Sequence, residues 1–574
     1  MMQKCKWNIK SGITAKARDF SESMAVSPIV AQLLINRGID TIERAKAFLD
    51  TSFSNLPDPF LLGDMEKAAK RLADAVQNNE KVFIYGDYDI DGATSIATLF
   101  NFISDMGLSP EYYQPERFGE GYGLHIEAIS KIIKQGAKLI ITVDCGTSNF
   151  DAADYCKKEE IDLIVTDHHK VAGECINAYA FVNPHKEGEL PVFSVMAGVG
   201  VAFYLVIATR KVLRDRGFFN KVVKEPDLRN YLDMVALGTT ADVVPLVGIN
   251  RIFVKRGLVL INKRQRHGLD ALIDISRINS ELSTESLGFI LGPRLNAPGR
   301  MGNASMSVEI LLCKNQEKAK AIAELLEAEN KKRIQFQNNA WKAVQNIVQA
   351  KLDEAGEQFL NDRSSLTFSD PEWHQGVVGI VASKATEKWR KPTAIYTLAK
   401  KGVLKGSARS VPGVDIFSIF AEFKEIFENF GGHSMAAGMS IRTENLSKFE
   451  ELFEKGVAEV TGTKALDRLL DIDLRVELAD INMKTVDDIK NMMAPFGEKN
   501  PSPVFCVLSA KVFNKQVLKG KHLKIKLSNG LDAIGFNMGN LADSIGPTIN
   551  MAFKPVINEW NGLKSLQYLI VDAE

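Results

Sequence analysis

An acidic motif directly after a short β-branched run is the feature that most constrains the fold of this chain. The motif is GDYDIDG at 86–92, and it follows the run KVFIY. Alternate residues of an extended chain point the same way, so we expect Asp87, Asp89 and Asp91 to project together from the strand end. Three carboxylates at such short distances repel one another unless they share a cation. The spacing therefore predicts a metal site at the end of a strand.

A calcium-binding EF-hand loop is the alternative for this motif, because such a loop also begins with alternating acids followed by a glycine. Its twelfth position is normally glutamate, whereas this chain has Thr98 there. The motif also follows a β-type run, while an EF-hand loop follows a helix. Both differences argue against an EF-hand.

Two further β-type runs end in acidic or histidine residues. AKLIITV leads into Asp144, IDLIVT leads into Asp167, His168 and His169, and Asp242 lies further along in VALGTTADVVPL. A single strand-end Asp is usually a helix cap, and a single His is usually a hydrogen-bonded residue. Because helical patterns separate these runs, they predict a parallel sheet, whose strands place ligands at their carboxyl ends. Carboxylates with imidazole and without thiolate favour Mn²⁺ or Mg²⁺ over structural zinc.

The remaining chain continues with different patterns. A helical pattern from about Asn315 to Leu352 indicates a spacer helix, because its apolar positions are too sparse for the sustained heptads of a coiled coil. A second α/β pattern follows, and then short alternating runs typical of a small barrel such as an OB fold. We therefore predict an α/β fold in five segments: an N-terminal helical segment (1–55), a parallel-sheet catalytic domain (56–250), a helical region with a long connecting helix (251–354), a smaller α/β domain (355–462) and a C-terminal β-barrel (463–574).

Charge and cysteine content limit the classes of function. The 71 lysines and arginines equal the 71 aspartates and glutamates, so a bound polyanion must be held by a local basic groove or by metal ions. The six cysteines form no CxxC pair, which argues for reduced thiols in a cytosol. The amino terminus lacks the apolar core of a signal peptide, and no run approaches membrane-spanning length. We therefore expect a cytoplasmic protein that does not bind membranes.

Four motifs in this order resemble those of the DHH phosphoesterase superfamily: DYDIDGATS, VDCGTS, DHH and GTTADVVPL. The details are similar to its RecJ branch, and the similarity continues through ERFGEGYG, RLNAPGR, GSARS, GGHSMAAG, APFGEKNPSPVF and INEWNG. It covers nearly the whole chain after about residue 55. In one departure from the family pattern FGxGNPxP, Lys499 replaces a glycine at the entry to the barrel. The resemblance implies a DHH domain, a long helix, a DHH-associated domain and an OB fold.

The resemblance, together with the charge logic, implies a centre of two divalent cations, Mn²⁺ or Mg²⁺. Asp144 is expected to bridge both cations. His169 is expected to face the scissile phosphate rather than bind a cation tightly, and Asp167 to orient this neighbouring histidine. The other ligands are expected to divide between the cations as Asp91, His168 and Asp242 on one, and Asp87 and Asp89 on the other.

Substrate contacts are expected from arginines in glycine-rich or small-residue motifs. NAPGR, with Arg300, and GSARS, with Ser407 and Arg409, look like phosphate-binding turns. GGHSMAAG, with His433, looks like a loop that opens a helix whose amino end can receive phosphate. The structural alternatives are a surface salt bridge for each arginine and tight helix packing for GGHSMAAG.

The glycine-rich stretch ERFGEGYG predicts a loop that overhangs the metals. It contains two residues assigned to the substrate site, Arg117 and Tyr122. Arg117 is expected to bind a 5′-terminal phosphate by paired hydrogen bonds. The alternative is that Arg117 braces the loop by pairing with Glu116 or Glu120.

The predicted barrel carries a basic segment. Six lysines and no acid lie between Lys511 and Lys526. Alternate positions on strands would place several of them on one face, as a track for a phosphate backbone. A strand edge that lysines protect is the alternative.

The resemblance implies an exonuclease that degrades single-stranded DNA from its 5′ end to mononucleotides, in DNA repair and recombination. The first alternative is a DHH phosphodiesterase for short oligoribonucleotides or a cyclic dinucleotide, and the barrel argues against it. The second is a catalytically inactive DNA-binding scaffold, which the intact acids disfavour because buried carboxylates without metal are costly. The resemblance implies a monomer whose partners are single-stranded DNA, a single-stranded-DNA-binding protein and a helicase.

Overall fold

The computed structural model describes residues 5–10, 12–171, 173–462, 469–560 and 563–574 of the chain. The strands within these residues are β1 Lys6–Ile9, β2 Val82–Gly86, β3 Glu111–Tyr113, β4 Leu139–Val143, β5 Asp162–Thr166, β6 Ala180–Val182, β7 Leu366–Ser369, β8 Thr393–Lys400, β9 Val403–Arg409, β10 Phe427–His433, β11 Ala436–Arg442, β12 Leu469–Ile472, β13 Leu474–Arg475, β14 Phe505–Leu518, β15 His522–Leu527, β16 Asp532–Gly535, β17 Thr548–Trp560 and β18 Leu563–Ala573.

The α-helices are α1 Ala15–Met24, α2 Pro28–Asn36, α3 Ile42–Leu49, α4 Met65–Gln77, α5 Ile90–Asp105, α6 Ile126–Lys134, α7 Phe150–Lys158, α8 Gly198–Asp215, α9 Leu232–Ala241, α10 Gly248–Asn262, α11 His267–Ile275, α12 Thr284–Ser286, α13 Gly292–Met301, α14 Ser305–Leu312, α15 Gln316–Ala355, α16 Gln358–Asn361, α17 Val378–Trp389, α18 Ile416–Ala421, α19 Leu446–Thr461 and α20 Met483–Met493. A π-helical turn, Leu287–Leu291, lies between α12 and α13.

The chain divides into two compact units. The larger unit comprises Cys5–Leu295, Ala304–Ala323 and Leu469–Glu574. The smaller unit comprises Asn296–Asn303 and the described residues of 324–462.

A five-stranded parallel sheet lies at the centre of the larger unit. Its strand order is β3-β2-β4-β5-β6, and every neighbouring pair is parallel. Strands β2 and β4 are buried along their whole length, which explains why their sequences are continuously apolar rather than alternating. Helix α5 packs against β2, α8 and α9, and helices α6 and α7 share a buried core with β2, β4 and β5. The predicted parallel α/β fold is confirmed.

A β-barrel forms the carboxyl-terminal part of the larger unit. Its strands follow the order β13-β14-β15-β16-β18-β17, and β14 also pairs with β17, which closes the barrel. The predicted OB-type barrel is therefore confirmed. The barrel core is continuous with α1 and α2, because Phe20, Val30 and Leu33 belong to the same buried cluster as Phe505 and Phe553.

The amino-terminal segment also contains a strand that the sequence did not predict. Residues 6–9 form β1, which pairs in parallel with β12 from Lys6 opposite Leu469 to Ile9 opposite Ile472. The rest of this predicted helical segment contains α1, α2 and α3, and Thr41 caps α3 by accepting a hydrogen bond from the Arg44 amide.

The long helical pattern forms a single helix of 40 residues, α15, as predicted. Its first residues belong to the larger unit and its continuation from 324 belongs to the smaller unit. In the described part of the chain, no helix is both long enough and apolar enough to cross a membrane.

The smaller unit contains a mixed five-stranded sheet of order β10-β11-β9-β8-β7. Strands β7 and β8 are parallel, and the other neighbouring pairs are antiparallel. Helix α17 packs on β8 and β9, and α19 on β7. The predicted second α/β pattern is confirmed.

Candidate active site

The acidic and histidine residues at the strand ends meet in the larger unit, at the carboxyl edge of the parallel sheet. The Nε2 atom of His168 lies 3.2 Å from Asp144 Oδ1 and 3.6 Å from Asp242 Oδ2. It also lies 3.8 Å from Asp91 Oδ2. Three groups of side chains have possible ligand atoms within 4.8 Å of one another: Asp87, Asp89 and Asp144; Asp91, His168 and Asp242; and Asp144, His168 and His169.

Helix α5 fixes two of these carboxylates. Asp89 caps the helix, since its Oδ1 accepts hydrogen bonds from the amides of Asp91 (2.9 Å) and Gly92 (3.1 Å). Asp91 lies in the first turn, and its two oxygens accept hydrogen bonds from the amides of Gly198 (2.7 Å) and Val199 (2.9 Å). These amides begin α8, so the amino ends of two helices support the acidic centre.

Asp144 takes a backbone conformation that is uncommon for a residue with a side chain. Its φ of 59° lies in the left-handed region and turns the chain sharply after β4. The turn brings Asp144 against the start of α8, where a Cβ on Gly198 would lie 2.6 Å from Asp144 Cβ. Only glycine leaves room for Asp144 at this position.

Three carboxylates of the centre are buried so deeply that their negative charges need compensation. Asp87, Asp91 and Asp144 are 5%, 1% and 2% exposed. Burial, followed by the charge of Asp89, raises the pKa of Asp91 to about 7, and burial also raises the pKa of Asp87, Asp144 and Asp242 well above the usual range. The buried Oδ1 atoms of Asp87 and Asp144 accept no hydrogen bond from the described residues. Divalent cations fit these oxygens, because they would supply the missing positive charge.

His168 is suited to bind a cation as a neutral imidazole. Burial, followed by the neighbouring His169, lowers its pKa to about 4. A neutral imidazole nitrogen is the form that binds metals. The sequence prediction that His168 is a ligand therefore has electrostatic support.

Asp167 and His169 form a hydrogen-bonded pair beside the acidic centre. Asp167 is fully buried, and its Oδ1 lies 2.7 Å from His169 Nδ1. Its Oδ2 accepts hydrogen bonds from the amide and hydroxyl of Thr147. Burial alone would raise the pKa of Asp167, but the hydrogen bonds from His169 and Thr147 hold it below its usual range. Burial opposes protonation of His169, yet the hydrogen bond to Asp167 raises its pKa to about 9.

These pKa shifts predict how metal binding depends on pH. Without metal, the folded protein keeps protons on Asp91 up to about pH 7, whereas an unfolded Asp loses its proton near pH 3.9. Between these values the folded state binds more protons than the unfolded state, so the free energy of unfolding should fall as pH rises. Bound Mn²⁺ compensates the ionised carboxylates. We therefore expect the rise in melting temperature caused by MnCl₂ to grow between about pH 5 and about pH 8. This range spans the upper part of the interval between the unfolded and folded pKa values of Asp91. Calorimetry at several pH values measures it, and a rise that shrinks with pH contradicts it.

The ERFGEGYG stretch forms a loop, as predicted, and it reaches the acidic centre. Tyr122 Oη lies 3.1 Å from His169 Nδ1. The Arg117 guanidinium lies 5.2 Å from the centroid of the Tyr88 ring, within the acidic motif. The loop is braced instead by Glu120, whose carboxylate accepts hydrogen bonds from Tyr113 Oη and the Glu116 amide.

Three motifs in the smaller unit have other conformations than predicted. NAPGR lies in helix α13 and GSARS in strand β9, so neither is a turn. GGHSMAAG forms the β10–β11 hairpin and not a loop that opens a helix. Tertiary packing explains the difference at GSARS, because a Cβ on Gly406 would lie 2.5 Å from the Tyr396 ring on the neighbouring strand. The glycine serves close packing within the sheet, which local patterns do not reveal.

The predicted residues of the smaller unit nevertheless lie near one another. Arg409 Nη1 donates a hydrogen bond to Ser407 Oγ (2.8 Å). The strand register places Ala436 opposite both Arg409 and His433, so these two residues occupy one row of the sheet. Arg300 Nη1 donates to the carbonyl of Gly376 at 3.4 Å, directly before α17.

The start of α17 is a part of this arrangement that the sequence reasoning did not assign. A Cβ on Gly379 would lie 3.1 Å from both Arg409 Nη2 and Ser407 Oγ, and the His374 imidazole accepts a hydrogen bond from the Gly376 amide. The amino end of α17 therefore faces Arg409 and Ser407, the two residues predicted to contact substrate. The glycine-rich sequence HQGVVG was the available signal.

Three lysines of the basic segment have partners within the barrel. Lys515 Nζ donates hydrogen bonds to the carbonyls of Ala542 and Ile545. Lys524 and Lys526 both pair with Asp532 of β16, at 2.9 and 3.3 Å. Lys524 and Lys526 occupy alternate positions of β15 and pair with the same acid, so they lie on one face of the strand, as predicted. The track for a phosphate backbone stays a prediction.

Comparisons with known proteins agree with this architecture. Residues 81–239 match the DHH family, N-terminal domain; residues 361–459 match the DHHA1 domain; and residues 472–572 match the RecJ OB domain. The single-stranded-DNA-specific exonuclease RecJ of Haemophilus influenzae is 35% identical over 583 residues, which cover 98% of this chain and 99% of the relative. Crystal structures of RecJ from Thermus thermophilus in complex with Mn²⁺ and with Mg²⁺ match with TM-scores of 0.84 and 0.77, at 26% and 25% identity. They cover 100% and 99% of this chain, and 80% and 78% of theirs.

A parallel sheet with a carboxylate and histidine centre, accompanied by a DHHA1 domain, defines a DHH phosphoesterase. The similarity extends through the terminal barrel and covers 99% of the Haemophilus influenzae relative. This chain belongs to the RecJ family of single-stranded-DNA-specific exonucleases.

Proposed function

We propose that this chain is a metal-dependent exonuclease that hydrolyses single-stranded DNA from its 5′ end to mononucleotides. The observation that carries the proposal is a cluster of four acids with raised pKa values, three of them buried, in a chain that matches RecJ along its whole length. Such a cluster is costly to a scaffold without metal and useful to a hydrolase. Roles in DNA repair and recombination are part of the proposal.

Two divalent cations, Mn²⁺ or Mg²⁺, are proposed for this centre. Asp144 would bridge them, since it belongs to groups with both Asp87 and His168. When bound, such cations activate water and neutralise charge on a phosphodiester. The ligands are proposed to divide as Asp91, His168 and Asp242 on one cation, and Asp87 and Asp89 on the other.

His169 and Asp167 are proposed to act on the substrate side of the centre. The raised pKa of His169 keeps its imidazole protonated at neutral pH, so it can donate a hydrogen bond or a proton to a phosphate oxygen. Asp167 holds the Nδ1 atom of His169, which leaves Nε2 for the substrate. Tyr122 is proposed to help position the same imidazole.

Arg300, Ser407, Arg409 and His433 are proposed to contact the DNA backbone. The proposal rests on the positions of Arg300, Ser407 and Arg409 beside the start of α17, whose amide groups favour anions. His433 lies in the same row of the sheet as Arg409. We propose that the five predicted segments are the domains of this chain. A monomer in the cytoplasm, with a single-stranded-DNA-binding protein and a helicase as partners, is also proposed.

The alternative is a phosphodiesterase for short oligoribonucleotides or a cyclic dinucleotide. The match of residues 472–572 to a RecJ OB domain argues against it, because small substrates do not need an additional nucleic-acid-binding barrel. Hydrolysis of 5′-labelled single-stranded DNA and of a dinucleotide, each with and without MnCl₂, separates the two. Faster turnover of the dinucleotide would reject the exonuclease.

Arg117 is proposed to recognise the 5′-terminal phosphate. Its guanidinium lies beside the acidic motif, over Tyr88, and paired hydrogen bonds from arginine to phosphate contribute about 1.5–3 kcal/mol. We expect Arg117→Ala to slow cleavage of 5′-phosphorylated strands by roughly ten-fold or more relative to 5′-hydroxyl strands. Single-turnover rates on the two strands measure this ratio.

Glu120→Gln is the matched control for the loop. It weakens the contacts with Tyr113 and the Glu116 amide without touching Arg117. We expect it to affect both strands equally. Equal losses for Arg117→Ala on the two strands would show that Arg117 only supports the loop.

A further inference from the structure

A π-helical turn lies against the helix that leads to Asp242. The turn, Leu287–Leu291, is closed by a hydrogen bond from the Gly292 amide to the Leu287 carbonyl. A Cβ on Gly288 would lie 3.9 Å from Thr240 Cγ2, and one on Gly292 would lie 3.6 Å from Ala241 Cβ. Turns of this type are rare and often occur at functional sites. This one borders the last residues of α9.

The π turn presents an aromatic ring to solvent. Phe289 is 81% exposed, whereas Leu287 and Leu291 of the same turn are fully buried. The turn is therefore anchored by its leucines, and the ring of Phe289 contributes little to the core. A single exposed apolar residue is common on protein surfaces. Phe289 becomes informative because a second exposed apolar residue lies close to the same stretch.

That second residue is Val243, directly after Asp242. It is 67% exposed and has a φ of 61°, in the left-handed region. It follows the C-cap of α9, where glycine is the usual residue. A β-branched residue in this conformation is an outlier, and strain of this kind clusters at functional sites. The strained backbone holds an apolar side chain in solvent beside a residue of the metal centre.

We propose that Val243 and Phe289 form an apolar lip that contacts the base of a nucleotide while its phosphodiester lies at the metal centre. The inference rests on the proposed function. Val243 directly follows Asp242, and the π turn that carries Phe289 packs against Thr240 and Ala241, so both parts of the proposed lip border the end of α9 that carries Asp242. The apolar part of a nucleotide is the face of its base, and aromatic side chains bind such faces without sequence preference. The lip would contact bases, whereas the acidic centre and the proposed arginines would contact only phosphates.

Two oligonucleotides of equal length test the lip. Both carry a 5′-phosphate; one is made of thymidine nucleotides, and the other has abasic tetrahydrofuran residues throughout. We expect Phe289→Ala to lower kcat/KM on the thymidine strand by roughly ten-fold, the scale of one stacked base. On the abasic strand we expect no loss relative to the wild-type protein. Phe289→Trp keeps a ring and should keep the wild-type preference for the thymidine strand.

Two further variants separate base contact from folding. Val243→Gly relieves the left-handed strain, so we expect a lower kcat/KM on the thymidine strand without a lower melting temperature. Val222→Ala shortens a side chain that is 90% exposed and lies outside the lip, so it should change neither rate.

The outcomes also distinguish the lip from the proposed function. Equal losses for Phe289→Ala on both strands, or no loss on either, would overturn the lip while the wild-type protein still cuts DNA. A wild-type protein that cuts neither strand with MnCl₂ would overturn the exonuclease proposal itself.

Discussion

Replacing Asp144 by alanine should abolish metal-dependent hydrolysis while the protein stays folded. Asp144 belongs to two of the groups that can hold a cation, together with Asp87 and Asp89 and together with the histidines. Its loss would weaken both cation sites at once. We expect the rate to fall by roughly 10³-fold or more, the scale of losing an essential charge-stabilising group. Cleavage of a single-stranded oligonucleotide and titration calorimetry with MnCl₂ measure the two effects.

The folded state should not suffer from this change. Asp144 is 2% exposed and carries a strongly raised pKa, so the folded protein holds it at a cost. Removing the carboxyl relieves that cost, and we expect the metal-free variant to melt no lower than the metal-free wild-type protein. Normal binding of two cations by Asp144→Ala would overturn the bridging role.

Asp167→Asn is the matched control, because Asp167 is equally buried but contacts His169 rather than the proposed cations. The neutral side-chain amide of asparagine cannot stabilise protonated His169 as the Asp167 carboxylate does. We expect a loss of about 10–100-fold, which is typical for a residue that supports another. Metal binding should be nearly unchanged. A loss as large as that of Asp144→Ala would mean that Asp167 has a more direct role.

The meeting of the acidic and histidine residues was predictable because their positions follow from short-range patterns. Asp87, Asp144 and His168 each come just after a buried β-type run, and a parallel sheet brings such ends together whatever the intervening sequence. The hydrogen bonds that orient Asp91 were not predictable. They come from the amides of Gly198 and Val199, more than a hundred residues away.

Conformations that depend on distant partners were predicted less well. The glycine and proline of NAPGR indicate a turn, yet the helix α13 continues from the π turn through Pro298. Among the described residues, strand β1 pairs with β12, from the other end of the chain. The lysines of β15 have no acidic neighbours in sequence, but Asp532 on the next strand pairs with two of them. Local sequence propensity carries no information about partners that are distant in the chain.

Replacing Arg251 by methionine should strongly destabilise the larger unit. Arg251 is 2% exposed on α10, and its guanidinium donates hydrogen bonds to the carbonyls of Phe48, Met492 and Met493. It also lies 3.8 Å from the centroid of the Phe48 ring. These carbonyls lie at the ends of α3 and α20, so one side chain joins the amino-terminal helix α3, its own helix α10, and α20, which lies between barrel strands β13 and β14.

The size of the effect follows from the groups left behind. Burial, followed by the charge of Arg37, lowers the pKa of Arg251 to about 9, so the guanidinium is still charged at neutral pH. Methionine fills similar space but leaves the carbonyls of Phe48 and Met492 without this donor, while Met493 keeps the hydrogen bond from Asn500 Nδ2. Each carbonyl left without a donor costs about 1–3 kcal/mol where it is fully buried. We expect the free energy of unfolding to fall by about 3 kcal/mol or more. Denaturant unfolding, followed by circular dichroism, measures it.

Lys255→Met is the matched control on the same helix. The Lys255 ammonium donates to the carbonyl of Asn491 at 2.9 Å, but this contact is exposed to solvent. Water can replace it, so we expect a loss below about 1 kcal/mol. Arg251→Met should still cleave single-stranded DNA at low temperature, because its side chain contacts none of the acids or histidines of the metal centre. Equal stability of Arg251→Met and the wild-type protein would mean that the packing of α10, rather than the guanidinium, joins these three segments.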